Sequence, residues 1–82
     1  MLYGQISIDP EVMSGTPVFA GTRVPVQTLF DYIEGGDSLA EFLDDYPSVT
    51  MKAAVEVLEM AKASLTSPKV LHENFAGRKP AA

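Results

Sequence analysis

The chain has no cysteine and no tryptophan, a single histidine, and six lysines and arginines against eleven aspartates and glutamates. Without cysteine, neither a disulfide framework nor a thiolate zinc site can staple the fold. The one histidine, His72, lies near the C-terminal end, so a hydrolytic metal centre would lack the imidazoles that usually complete a carboxylate shell. Basic residues are scarcer than their number suggests, because Arg78 and Lys79 sit in the last five positions; through Ala76 four cations face eleven carboxylates, a net of −7. Non-specific affinity for nucleic acid comes largely from cations neutralising phosphates, and an acidic domain begins without it. Long apolar runs are also missing. Charges interrupt them every few residues, and Met1 to Gln5 has neither a basic flank nor an apolar core. No membrane span or signal segment is therefore expected, and the cytoplasm is the default compartment.

Eighty-two residues make one domain near the lower limit for a core that stands alone, which favours self-association as a further source of buried area. Gln5-Ile6-Ser7-Ile8 alternates polar and apolar residues and predicts a short strand, turned by Asp9-Pro10. Val18-Phe19 and Arg23-Val24 flank Ala20-Gly21-Thr22, a connection short enough for a small hairpin with Gly21 at positive φ.

Three helices follow. Val26, Leu29, Phe30 and Ile33 recur at helical spacing, giving a helix over about Gln27 to Glu34 with Pro25 near its first turn and Gly35-Gly36 as its stop. Ser38 and Glu41 have capping-box spacing before Leu39, Phe42, Leu43 and Tyr46, and Pro47 ends that second helix. Thr50 is a natural N-cap for the third and longest helix, whose predicted buried row is Met51, Ala54, Val55, Leu58, Ala61 or the stem of Lys62, and Leu65. A second row, Ala53, Val57, Met60 and Ser64, is more than one small core needs, so it is the candidate homodimer interface. The expected fold is mainly α. It is a three-helix, helix-turn-helix-like (homeodomain-like or winged) bundle over residues 1–67, preceded by a short N-terminal strand and a small β-hairpin. A tail over 68–82 is flexible or partner-binding, and Leu71 and Phe75, four apart, are its candidate contact residues.

The turn Tyr46-Pro47-Ser48-Val49 between the second and third helices has the outline of a helix-turn-helix. In that reading Ser48, Thr50 and Lys52 meet DNA, joined by Arg23 at the hairpin exit. The competing reading is plainer. Lys52 with Glu56 and Glu59 with Lys62 form intrahelical pairs on a solvated face, and Arg23 pairs internally with Asp9, Glu11 or Asp31. The numerous carboxylates include no evident nucleophile with a nearby base, and the glycines fit turns, not a phosphate-cradling loop. No cofactor and no catalysis are expected.

Asp9-Pro10, Gly15-Thr16-Pro17 and Gly21-Thr22-Arg23-Val24-Pro25-Val26, continued by Gly35, Ser38, Asp44-Asp45-Tyr46-Pro47 and Thr50, resemble the ordered signature of the DUF433 family over roughly Ile6 to Leu65. The resemblance implies a small helix-turn-helix-like domain. It further implies the antitoxin half of a toxin–antitoxin pair whose partner resembles a PIN-domain nuclease, with operon autoregulation as a second role. The acidic balance suits the first role, since a nuclease that holds RNA presents a basic groove. The alternatives are a stand-alone DNA-binding regulator and a purely structural interaction dimer.

Overall fold

The N-terminal segment folds back on itself before any helix begins. In the computed structural model, which describes residues 1–75, strand β1 (Leu2–Tyr3) turns through Gly4-Gln5 into β2 (Ile6–Ser7), and β2 pairs with β3 (Val18–Phe19). The result is a three-stranded antiparallel sheet in the order β1-β2-β3, with Leu2 opposite Ser7 and Ile6 opposite Phe19. The predicted strand at Gln5–Ile8 is thus present, shortened, and gains a partner in β1 that the sequence pattern does not announce.

The predicted hairpin forms as a turn without a second strand. Phe19 N–H donates to the Val24 carbonyl at 2.9 Å, Thr22 N–H to the Phe19 carbonyl at 3.0 Å, and Gly21 takes φ +76°. Beyond Val24 the return arm offers Pro25, which touches Val18 in a single bridge. Proline has no N–H to donate, so the ladder stops there and the chain enters a helix instead. Between β2 and β3 the Asp9 carboxylate accepts Glu11 N–H, after which Met13 and Ser14 both adopt positive φ, 51° and 56°. For side-chain-bearing residues that conformation costs about 1–2 kcal/mol each.

Helix α1 (Val26–Glu34) starts one residue earlier than the periodicity predicts, with Pro25 in the extended N-cap conformation. Gly36, at φ +87°, closes its C-terminal end. Helix α2 (Leu39–Asp45) is capped by the Ser38 hydroxyl, which accepts Glu41 N–H at 3.1 Å, and α3 (Met51–Thr66) by the Thr50 hydroxyl, which accepts Ala53 N–H at 3.1 Å. Each cap is worth about 1 kcal/mol. A fourth helix, α4 (Pro68–Phe75), begins with proline in its first turn and packs against α3.

Phe19, Val26, Leu29, Phe42, Val49, Ala53, Ala54 and Val57 make the core. Phe42 is its centre, fully buried, with ring centroids of Tyr46, Tyr32 and Phe19 at 5.3, 5.5 and 5.9 Å. Such tilted and edge-on ring pairs are favoured by the aromatic quadrupole. Two fully buried phenylalanine rings fill the space that α3 must approach, so α3 presents its small side chains to them. Ala53, Ala54 and Val57 therefore face inward, while Met51, Val55 and Leu65, predicted to be buried, stay exposed.

Candidate interaction surface

The inward turn of α3 removes half of the candidate dimer row. Ala53 and Val57 lie in the chain's own core, at 8% and 2% exposure, and are unavailable to a second chain. Met60 keeps an exposed side chain and Ser64 a half-buried one. The Met60 sulfur lies close to Gly4, so this end of α3 rests against the β1–β2 turn.

The residues considered for DNA contact fall on two separate elements. Ser48, Thr50 and Lys52 are exposed around the start of α3, but the Thr50 side-chain oxygen is occupied by the cap. Lys52 has no carboxylate within salt-bridge reach among the described residues, so the Lys52–Glu56 pair expected from the spacing does not form. Glu59 and Lys62 do pair, at 3.7 Å and largely in solvent, a contact worth a few tenths of a kcal/mol. Arg23 is exposed at the hairpin exit, with Nη2 4.0 Å from the Met13 sulfur. None of Asp9, Glu11 and Asp31 pairs with it among the described residues, so the expected internal ion pair is absent. Leu71 and Phe75 belong to α4, and their side chains lie outside the described residues, as do Arg78 and Lys79.

Carboxylates gather where cations do not. Asp37, just before the N-cap of α2, and Glu41 and Asp45 within α2 follow one another at intervals of four, Asp44 adjoins them, and all four are exposed. The spacing sets Glu41 and Asp45 on one face of α2, and Asp37, which precedes the extended N-cap Ser38, meets that face through a hydrogen bond with Glu41. A hydrogen bond with Asp37 and the charge of Asp37 hold the Glu41 carboxyl above the usual carboxylate range, with a further push from Asp45. That upward shift outweighs the first-turn position, which by itself favours a charged carboxylate. Asp45 in turn accepts the Tyr32 hydroxyl at 2.6 Å, and this bond, followed by burial and the charge of Asp45, pushes the Tyr32 phenol well above its ordinary value. The motif reading takes Glu41 only as helix punctuation. The four-residue rhythm Asp37, Glu41, Asp45 was the signal for a concentrated negative face. Among the described residues no three or more His, Asp or Glu side chains are placed to hold a metal ion. No described helix is long and apolar enough to cross a membrane.

A short antiparallel sheet leading into a three-helix core, with a tight turn between its second and third helices, defines the class of this domain. The chain belongs to the DUF433 family, described as proteins of unknown function, whose model matches residues 6–61. A crystal structure of a DUF433 member from Anabaena variabilis resembles it with a TM-score of 0.62 at 28% identity, covering 84% of this chain and 66% of that one. An uncharacterized protein of Sinorhizobium fredii, y4eO, is 36% identical over 44 residues, which is 54% of this chain and 20% of that protein. The chain thus spans about two thirds of the structural relative and a fifth of the curated one.

Proposed function

We propose that this DUF433 chain is a non-enzymatic, antitoxin-like binding module of the cytoplasm, which neutralises a PIN-like nuclease by laying the acidic face of α2 into the groove that holds RNA. The observation that carries the reading is the exposed row Asp37, Glu41, Asp44 and Asp45, crowded enough to raise the Glu41 pKa. A surface that stores like-charge repulsion releases it against a cationic partner, so the same crowding that opposes the free domain favours the complex. Support from kinship is limited to the family resemblance described above.

DNA binding through α3 is the second reading, and the α2-turn-α3 geometry favours it. The charge distribution works against it, since Lys52 is the single cation between Arg23 and Lys62 while Asp44 and Asp45 precede the turn.

The test is inhibition of a PIN-domain ribonuclease encoded beside this gene, measured with the purified chain and with the double variant Glu41→Lys, Asp44→Lys. The wild-type chain should suppress RNA cleavage, and the charge-reversed chain should lose at least tenfold in inhibitory potency with its helical circular dichroism unchanged. Equal inhibition by both would overturn the assignment to α2. Absence of inhibition, with DNA binding that falls steeply between 50 and 200 mM salt as expected for about six or more phosphate contacts, would transfer the function to the second reading.

A further inference from the structure

We propose that β1 is a self-pairing edge, through which two copies of the chain join their sheets across a two-fold axis at Leu2. The proposal is independent of the antitoxin reading and replaces the α3 row as the dimer interface. β1 is the outer strand of the sheet. Met1 exchanges both backbone bonds with Ile8, at 2.7 and 2.9 Å, which makes Leu2 and Ser7 the next, non-hydrogen-bonded pair. The Leu2 N–H and C=O consequently point away from β2, toward the open edge. Edge strands are ordinarily guarded by a charge, a proline or a bulge. Here the side chains are Met1, Leu2 and Tyr3, exposed at 77%, 66% and 49%, and the one charge, the Met1 ammonium, donates to the Ile8 carbonyl on the β2 side.

Charge identifies the occupant as a second copy. Residues 1–8 contain no charged side chain in a chain of net charge −5, so this strip is where two copies can approach without setting carboxylate against carboxylate. The geometry is self-complementary. Antiparallel pairing centred on Leu2 lets it exchange two hydrogen bonds with Leu2 of the second copy and sets Met1 opposite the other copy's Tyr3, giving a six-stranded sheet. Met1 and Tyr3 already share a face, with the Tyr3 hydroxyl against the Met1 sulfur. Met60, beside Gly4, extends the apolar patch. At roughly 200 Å² for a fully exposed side chain of this size, the four expose roughly 450 Å², more than half of the ~800 Å² per partner in a standard interface.

Sedimentation equilibrium of the full chain, with any tag at the C-terminus, tests the proposal. The wild type should dimerise, and its Leu2 amide should be protected from hydrogen exchange. Leu2→Pro removes a donor that the protomer itself does not use, so it should raise the dimer dissociation constant at least about tenfold, the effect of losing two hydrogen bonds, with unfolding temperature at low concentration unchanged. Leu2→Lys, which adds a guarding charge without altering the backbone, should do the same. A wild-type monomer at every concentration, or a dimer that survives both substitutions, would overturn the proposal. So would Leu2 protection that appears only when a different protein is added, which would give the edge to that protein.

Discussion

Which row of α3 faces inward decides what surface a partner can see, and Val55 and Val57 settle it with one substitution made twice. Val57 is 2% exposed against the Phe19 and Phe42 core, whereas Val55, two positions away on the same helix, is 40% exposed. Truncation to alanine removes two methyl groups, each worth about 0.8 kcal/mol of transfer free energy when buried. At Val57 the cavity left behind adds to that loss, since close-packed surroundings relax only in part. Alanine recovers about 0.5 kcal/mol of helix propensity at both positions. Val57→Ala should therefore destabilise by about 1.5–2 kcal/mol, and Val55→Ala should fall within about 0.5 kcal/mol of wild type. For a domain of this size the gap corresponds to roughly 6–12 °C in Tm. Thermal and urea unfolding followed at 222 nm measure it, at two protein concentrations so that any contribution from self-association is separated. Equal losses, or a larger loss at Val55, would refute the inward assignment and restore the outer row to the core.

Gly21→Ala should cost about 1 kcal/mol through φ +76° alone, since nothing lies within 4 Å of the added methyl, and Gly21→Asn should cost less because asparagine tolerates the left-handed region; equal losses for the two would show that the turn is not the cause. The Glu41 carboxyl is raised in the fold, so it contributes stability below its unfolded pKa, and that contribution disappears as pH rises through its folded value. Glu41→Gln should consequently be more stable than wild type at pH 7, with the advantage shrinking as pH falls into the carboxylate range. A Tm difference that stays constant from pH 3 to 7 would contradict the crowding of Asp37, Glu41 and Asp45.

Helices α1 to α3 were legible in the sequence because their signals are local, whereas α4 falls in a stretch read as a tail. Ser38 and Thr50 cap where their spacing says, and Gly35-Gly36 and Pro47 bound the helices that they follow. Gly21 likewise takes the positive φ that its place in a three-residue connection demands. The inward row of α3 was legible only in part: Ala54 is buried and Leu58 packs against the core as the spacing predicts, whereas the burial of Ala53 and Val57 depends on the volume left after Phe19 and Phe42, on other elements, have packed. Spacing would also bury the larger Met51, Val55 and Leu65; the rings instead leave room for Ala53 and Val57 beside Ala54. β1 was hidden for a similar reason, since its two residues carry no buried alternation and are defined only by their pairing with β2. Lys52 and Glu56 have favourable spacing and remain apart, a reminder that spacing permits an exposed pair without compelling it.

Copy number links the edge strand to the choice between the two functional readings. The described residues supply four side-chain cations, Arg23 at the hairpin exit, Lys52 and Lys62 on α3 and Lys69 on α4, and Lys62 already faces Glu59. Even if all four met phosphate, one copy would release about four counterions, a salt slope no steeper than about −3.6, whereas a strong duplex binder makes six to ten such contacts. Arg78 and Lys79 bring the chain to six cations against eleven carboxylates, which reaches the lower end of that range only if every one met phosphate, so the charge of a monomer disfavours the regulator reading. Pairing through β1 would double the cations, but it would double the carboxylates too, and the net field would remain repulsive toward DNA. The same doubling offers a basic partner two acidic α2 faces in one particle, where engagement of the first raises the effective concentration of the second. Self-association thus strengthens the protein-binding reading and does little for the DNA-binding one, unless a partner brings the missing cations with it.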